Sequence, residues 1–328
     1  MKKISFSKEV ERLIDPITVG SLHFIQYFNQ LLPKAIQRRI IKSSSKKTPN
    51  MGFVVEPYAS FLCYKIKNKE WANKLLPDGF ELVKTSIFND DKPQYYCIFG
   101  CTRAHTSAFW GVRNEFYIIA ENKKTGLLSW IIIDYDTNTI SYDNKNGLSS
   151  PNSKKSVITI NHRGTLFVDI QNNIGRKLVF DFKLEKSRMQ ALNQRLWLEG
   201  NLSIGYGRDL SMKDGDIFSL KFEPGEVEKA LRIPINNLNI EVNTWFPGLF
   251  NETPSQVACF PYAQHFISDS PGYSSNIKNR SDLIAANKAI EFDKIKVFST
   301  KSFKVMFLVG TLLSFTITIT LFILLLNK

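Results

Sequence analysis

The chain has 328 residues, 43% of them hydrophobic, with 25 phenylalanines, 11 tyrosines and a formal net charge of +13. That is enough apolar material for one large packed domain or two small ones, and the aromatic content favours sheets. The positive balance suits an acidic partner, either nucleic acid or an anionic membrane surface, whereas four scattered cysteines argue against a disulfide framework and fit a reducing compartment.

The N-terminus, MKKISFSKEVERL, starts basic but has no apolar stretch, so it is not a secretory signal. Residues 1–48 read as a basic amphipathic helical segment. Leu22, Ile25, Phe28 and Leu32 recur at helical spacing, and Pro33 ends that helix or opens a second. Lys34, Arg38, Arg39 and Lys42 then make a basic face. It is either plainly solvated or set against anionic lipid, where each cation contributes ~1 kcal/mol. The apolar segment at the other end of the chain favours lipid.

Residues 49–280 read as a β-rich domain. FVVEPYASFLCYKI is a strand region, and NKEWANKLLPDGFELV is a short helix that ends at Leu76 before Pro77, followed by a turn and a strand. KPQYYCIFGCTRAH begins another strand. In GVRNEFYIIAEN, residues 111–122, Arg113, Glu115, Tyr117 and Ile119 share one face, and Asn114, Phe116, Ile118 and Ala120 share the other. Both faces turn apolar after Glu115, so the strand is expected to be covered on both sides. Lys123–Gly126 forms a hairpin loop on a type I turn with Gly126 left-handed. Asn122 then faces Leu127, and counting back sets Arg113 against Asp136 and Glu115 against Asp134. The carboxylates outnumber the cation there, and Arg103 is the nearest further base. Two readings stay open: an ion pair at the sheet rim, or the polar end of an aromatic-lined cavity. On the second reading the ligand-binding candidates are Arg103, His105, Trp110, Arg113, Glu115 and Asp134.

Strands follow over 157–182. KLEKSRMQALNQRLWLEGNLSIGYGRDL is expected to open as a short helix before a strand, and DIFSLKFEPGEVEKALRIPI to turn at Pro224-Gly225. Residues 281–304 are expected to form a linker helix, with 281–296 helical from a cap at Ser281 and leading to the membrane span. No phosphate-binding, dinucleotide or metalloprotease motif occurs, and the histidines are isolated, so no cofactor is implied. Cys97, Cys101 and His105 are spaced C-x3-C-x3-H but lack a fourth ligand, and buried thiols without a metal are the expectation.

Val305–Leu326 carries no charge; at 1.5 Å per residue it spans the ~30 Å hydrocarbon core as a transmembrane helix. Lys294, Lys296, Lys301 and Lys304 precede it and Lys328 follows, which predicts a single-pass, tail-anchored chain with its large N-terminal part in the cytoplasm. With that anchor, and with no helix-turn-helix or RNA-binding signature, membrane lipid is the expected partner and nucleic acid is not.

Three stretches carry a family resemblance: WANKLLPDGFELV with its following strand; Gly111, Arg113 and Glu115 in their hairpin; and LWLEGNLSIGYGRD with FSLKFEPGEVEKALRIPI. Together, over residues 50–275, they resemble the acetoacetate decarboxylase-like superfamily, in particular domain-of-unknown-function group 2071. The resemblance implies a mainly β (α+β) fold, an antiparallel barrel or cone around a central pocket lined by an arginine and a glutamate. In decarboxylase members a desolvated lysine forms a Schiff base with a keto acid. Arg113 and Glu115 stand for the arginine and glutamate, although Asn114 separates them here. Lys123 and Lys124 lie at a similar distance along the chain but fall in the predicted turn, where a lysine keeps its high pKa. The expected function is therefore a membrane-anchored module that binds a small organic or lipid-like ligand, with no catalysis assigned. The alternative is an enzyme acting on a keto acid or related carbonyl compound.

Overall fold

The structure, a computed structural model, describes residues 5–14, 32–33, 35–36, 50–106, 110–139, 141–143, 147–149, 151–210, 217–269, 277–295 and 301–326. The helix expected over 22–32 and the basic residues Lys34, Arg38, Arg39 and Lys42 lie outside the described residues.

The strands in chain order are β1 (Asn50–Val55), β2 (Ala59–Lys65), β3 (Phe80–Leu82), β4 (Tyr96–Thr106), β5 (Trp110–Asn122), β6 (Leu128–Thr137), β7 (Ser141–Asp143), β8 (Gly147–Ser149), β9 (Ser153–Ile160), β10 (Thr165–Asn172), β11 (Lys177–Lys183), β12 (Arg188–Ala191), β13 (Ile204–Tyr206), β14 (Ile217–Phe218), β15 (Leu220–Phe222), β16 (Lys229–Arg232), β17 (Leu238–Asn243), β18 (Gln256–Phe260) and β19 (Gln264–Asp269). The helices are α1 (Phe6–Arg12), α2 (Lys69–Leu75), α3 (Arg280–Lys288) and α4 (Lys301–Leu326). A helical turn covers Arg195–Leu202.

The main sheet runs β12–β16–β18–β2–β4–β5–β6–β13–β14, with β1 also on β4, and β19 joining β1 to β15. β14 and β15 flank Ser219, so the pairing comes round on itself through that residue without a continuous ladder. The expected β-rich fold is thus present, but it is not a closed barrel. Most pairs are antiparallel as expected; β13 on β6 is parallel.

A second sheet, β17–β11–β10–β9, covers one face of the first. Phe99, Cys101, Phe116 and Ile118 meet Val168, Ile170, Phe180 and Phe182 between the two sheets. We call this the outer face of the main sheet. The opposite, inner face packs Ile98, Ile119, Trp130 and Tyr135 against Trp197, Phe222 and Phe260. β5 is apolar on both sides because each side has a core to fill, as its sequence indicates.

The hairpin after β5 forms as predicted. Asn122 N donates to Leu127 O at 2.9 Å, Gly126 N donates to Asn122 O at 2.7 Å, and Gly126 has φ +68°. Lys123 and Lys124 are exposed, and the Lys123 ammonium only approaches Glu81, at 3.7 Å. The Lys123→Ala/Lys124→Ala double variant should change unfolding stability by less than ~1 kcal/mol. A larger loss in urea denaturation would mean that the lysines hold more than a turn.

The strand register follows expectation for five pairs, Glu121–Leu128 to Tyr117–Ile132, and then departs from it. Tyr117 pairs with Ile132, but Phe116 pairs with Asp134, so Ile133 is an extra residue in β6. This bulge reverses the sides of all that follows. Arg113 therefore faces Thr137 and Glu115 faces Tyr135, while Asp134 and Asp136 turn to the outer face opposite Phe116 and Asn114.

Helix ends follow local chemistry. Asn68 caps α2 by accepting from Trp71 N at 2.9 Å, and the helix stops at Leu75, with Leu76 extended before Pro77. α3 is capped by Asn279, accepting from Asp282 N at 3.0 Å, rather than by Ser281, and it ends at Lys288. The stretch expected to open as a helix before residue 195 instead forms β12, an edge strand. In α4 the hydroxyls of Thr311, Thr316, Thr318 and Thr320 donate to carbonyls one turn back at 2.8–2.9 Å, which satisfies them without water. Phe307–Leu326 is long and apolar enough to cross a membrane, and none of it is buried against the rest of the chain.

Candidate functional site

The polar group on the inner face starts from strand alternation. Arg113, Glu115, Tyr117 and Ile119 point to the same side of β5, and Ile119 and Tyr117 fix that side by packing with the inner core. Glu115 accepts from Arg113 Nε at 2.5 Å and from the Tyr117 hydroxyl. The Arg113 guanidinium lies 4.6 Å from the centre of the Tyr135 ring, a position that the β6 bulge provides. Burial works to lower the Arg113 pKa, but Glu115, Tyr135 and Tyr206 outweigh it and hold the group up, so the cation is secure. The side chains of Arg113 and Glu115 keep 20% and 17% of their exposure, so the pair is only partly buried.

Aromatic rings continue the surface inward. Tyr117 meets Trp130 edge-on at 4.9 Å, and Phe61 meets Trp197 in the same way at 5.1 Å. Gly100 lies across from Glu115 on β4. A Cβ there would come within 3.0 Å of Phe61 and 3.2 Å of Tyr117, so glycine lets both rings close around the carboxylate. Trp130 Nε1 donates to Leu196 O at 2.9 Å, which ties the aromatic wall to the helical turn.

The six candidates from the sequence do not form one site. Arg113 and Glu115 share the inner face. Arg103, His105 and Trp110 lie on the outer face, because odd positions of β4 pair with even positions of β5, His105 with Trp110. There Glu56 forms an ion pair with Arg103 Nε at 3.0 Å and contacts His105, whose ring meets Trp110 at 5.2 Å. Asp134 is also outside. It pairs with Arg176, whose guanidinium stacks over Phe246 at 4.5 Å. Burial pushes the Asp134 carboxyl up, and Arg176 opposes the shift.

Asp136, fully buried between the sheets, accepts from Asn114 Nδ2 at 3.4 Å, and its Oδ2 has no hydrogen-bond partner among the described residues. Burial raises its pKa to about 6, tempered by Ser153, Asn114 and Ser156. Cys97 and Cys101 are buried thiols with pKa values raised by burial. Successive members of the Cys97, Cys101, His105 series stand about 13 Å apart along one strand, too far to share a metal.

Tyr117, Tyr135, Tyr206, Gly100 and Phe61 complete the inner group and were not among the candidates. A strand glycine opposite Glu115 is the one signal in the sequence that points to them.

An aromatic surface ending in a partly exposed ion pair is a binding arrangement, able to hold an apolar body and orient a polar end. No family model matches the chain, and no curated protein matches it. Among solved structures it is similar to acetoacetate decarboxylase from Legionella pneumophila, at 13% identity over 67% of this chain and 85% of that one, with a TM-score of 0.39. It is also similar to an acetoacetate decarboxylase-like enzyme from Sphingomonas wittichii, at 8% identity over 71% and 94%, TM-score 0.39. The enduracididine biosynthesis enzyme MppR is a third, at 11% identity over 69% and 87%, TM-score 0.42. Likeness at this level decides nothing about ligand or reaction.

Proposed function

We propose that the Arg113–Glu115–Tyr117 group binds the polar end of a small organic or lipid-like molecule whose apolar part lies against Tyr117, Trp130 and Phe61, in a domain held at a membrane by α4. The observation that carries this reading is the partly exposed ion pair at the edge of an otherwise aromatic inner face. An anchored binding module requires no nucleophile. No lysine among the described residues is buried, so the desolvated amine that keto-acid chemistry requires is not supplied there. Native mass spectrometry of the detergent-extracted chain should reveal a bound small molecule that Arg113→Met fails to retain. Equal retention by wild type and variant would place binding elsewhere, and borohydride trapping of a keto acid on any lysine would replace this reading with the enzymatic one.

On the same reading the basic residues before the uncharged span of Val305–Leu326 keep the domain in the cytoplasm. A C-terminal reporter should be inactive if it works only in the cytoplasm. Deleting residues 303–328 should release a soluble protein with its cooperative unfolding transition intact. Loss of that transition would show α4 to be part of the core.

A further inference from the structure

The outer face of the main sheet carries a row of directly paired residues across four strands: His265 on β19, Val54 on β1, His105 on β4 and Trp110 on β5. Its two ends are treated differently. At the β19 end, α1 covers the row. Phe6 and Val10 pack on Ile267 with Val54, and Glu11 reaches His265 Nε2 at 3.3 Å. The segment leading to α4 joins the same cluster through Ile290, Phe292 and Ile295, with Phe292 edge-on to Phe6 at 5.9 Å. At the β5 end nothing described covers Trp110, which is 53% exposed. Strands are ~4.8 Å apart, so Trp110 lies about 10 Å from Val54 at the border of the α1 cluster and about 15 Å from His265.

The chain from Ile295 to Lys301 spans six peptide steps, at most ~20 Å fully extended. The membrane, if α4 spans it, therefore lies within reach of this row. We infer that the Trp110 end of the outer face rests on the bilayer interface, with the indole at headgroup level, so that the domain has a fixed membrane-facing side rather than hanging free on its tether. The inference rests on the anchoring reading above. Trp is the side chain best suited to that position, with an apolar body and one N–H donor. The neighbouring cations do not explain it: Arg103 is paired with Glu56, Arg12 with Glu9, and Lys294 with Glu291. The contact is thus interfacial rather than electrostatic, and it should survive high salt.

The test uses the full chain in lipid nanodiscs, with brominated or ordinary phosphatidylcholine. Wild type should lose the Trp110 share of its tryptophan emission in brominated lipid, at low and high salt, and Trp110→Phe should show no such loss. Of the other four tryptophans, Trp130, Trp197 and Trp245 are buried and Trp71 is half-buried beside Phe246, and all four are common to both proteins, so the difference between the two isolates Trp110. Equal quenching of both proteins overturns the inference, as does a blue-shifted Trp110 emission that bromine leaves unquenched, which would indicate burial against a second protein copy. Vesicle flotation separates the two readings. A chain that does not float overturns the anchoring and this inference together; a chain that floats with Trp110 unquenched overturns this inference alone.

Discussion

Arg113→Met should cost about 2–3 kcal/mol in chemical denaturation and abolish ligand retention. Glu115 would lose its 2.5 Å donor and keep only the Tyr117 hydroxyl, leaving a carboxylate in an aromatic setting without a countercharge. Breaking a fully buried pair costs ~3–5 kcal/mol, and the fifth of exposure left to Arg113 lowers that. The orphaned charge is the main cost, so Arg113→Met/Glu115→Gln should recover part of the loss. Stability equal to wild type would show that the ion pair is solvated in full and that the inner face has no polar end.

Asp136→Asn should stabilise the protein above pH 6. The Asp136 carboxyl is held up to about 6 by burial, against an ordinary value of 3.8. Between those values the folded chain keeps the proton and the unfolded chain has released it. Stability therefore falls as pH rises from about 4 to 6 and then levels, by roughly 2–3 kcal/mol. Asparagine retains a carbonyl to accept from Asn114 and has no proton to lose. Wild type and variant should match near pH 4 and separate by pH 6 in denaturation midpoints. A constant gap across that range would mean that Asp136 does not titrate between the sheets.

The turn at Lys123–Gly126 was legible because its chemistry is local: a left-handed glycine and a short polar loop between apolar runs. The register beyond it was not. Ile131, Ile132 and Ile133 sit where both faces are apolar, so no alternation marks the extra residue, and the count from the turn slips at that point. The same gap explains the scattered site. Arg113 and Glu115 stood out as polar residues two apart on an apolar strand. Arg103, His105 and Trp110 looked adjacent, but the side they take depends on the β4–β5 pairing, which residues 107–109 do not specify from their sequence. Tyr135 and Tyr206 arrive through the bulge and a parallel pairing, both non-local.

The extra residue at Ile133 has a further consequence for how this protein tolerates change. Two residues of β6 already stand against one of β5 there, so deleting one between Ile131 and Ile133 would straighten the strand and leave each later residue on its side, whereas inserting one more before Asp134 would act like a frameshift in space. Asp134 and Asp136 would swing inward beside Glu115, facing one guanidinium with three carboxylates, and Tyr135 would be thrust between the sheets. Substitutions along this stretch should therefore be absorbed far more easily than one added residue.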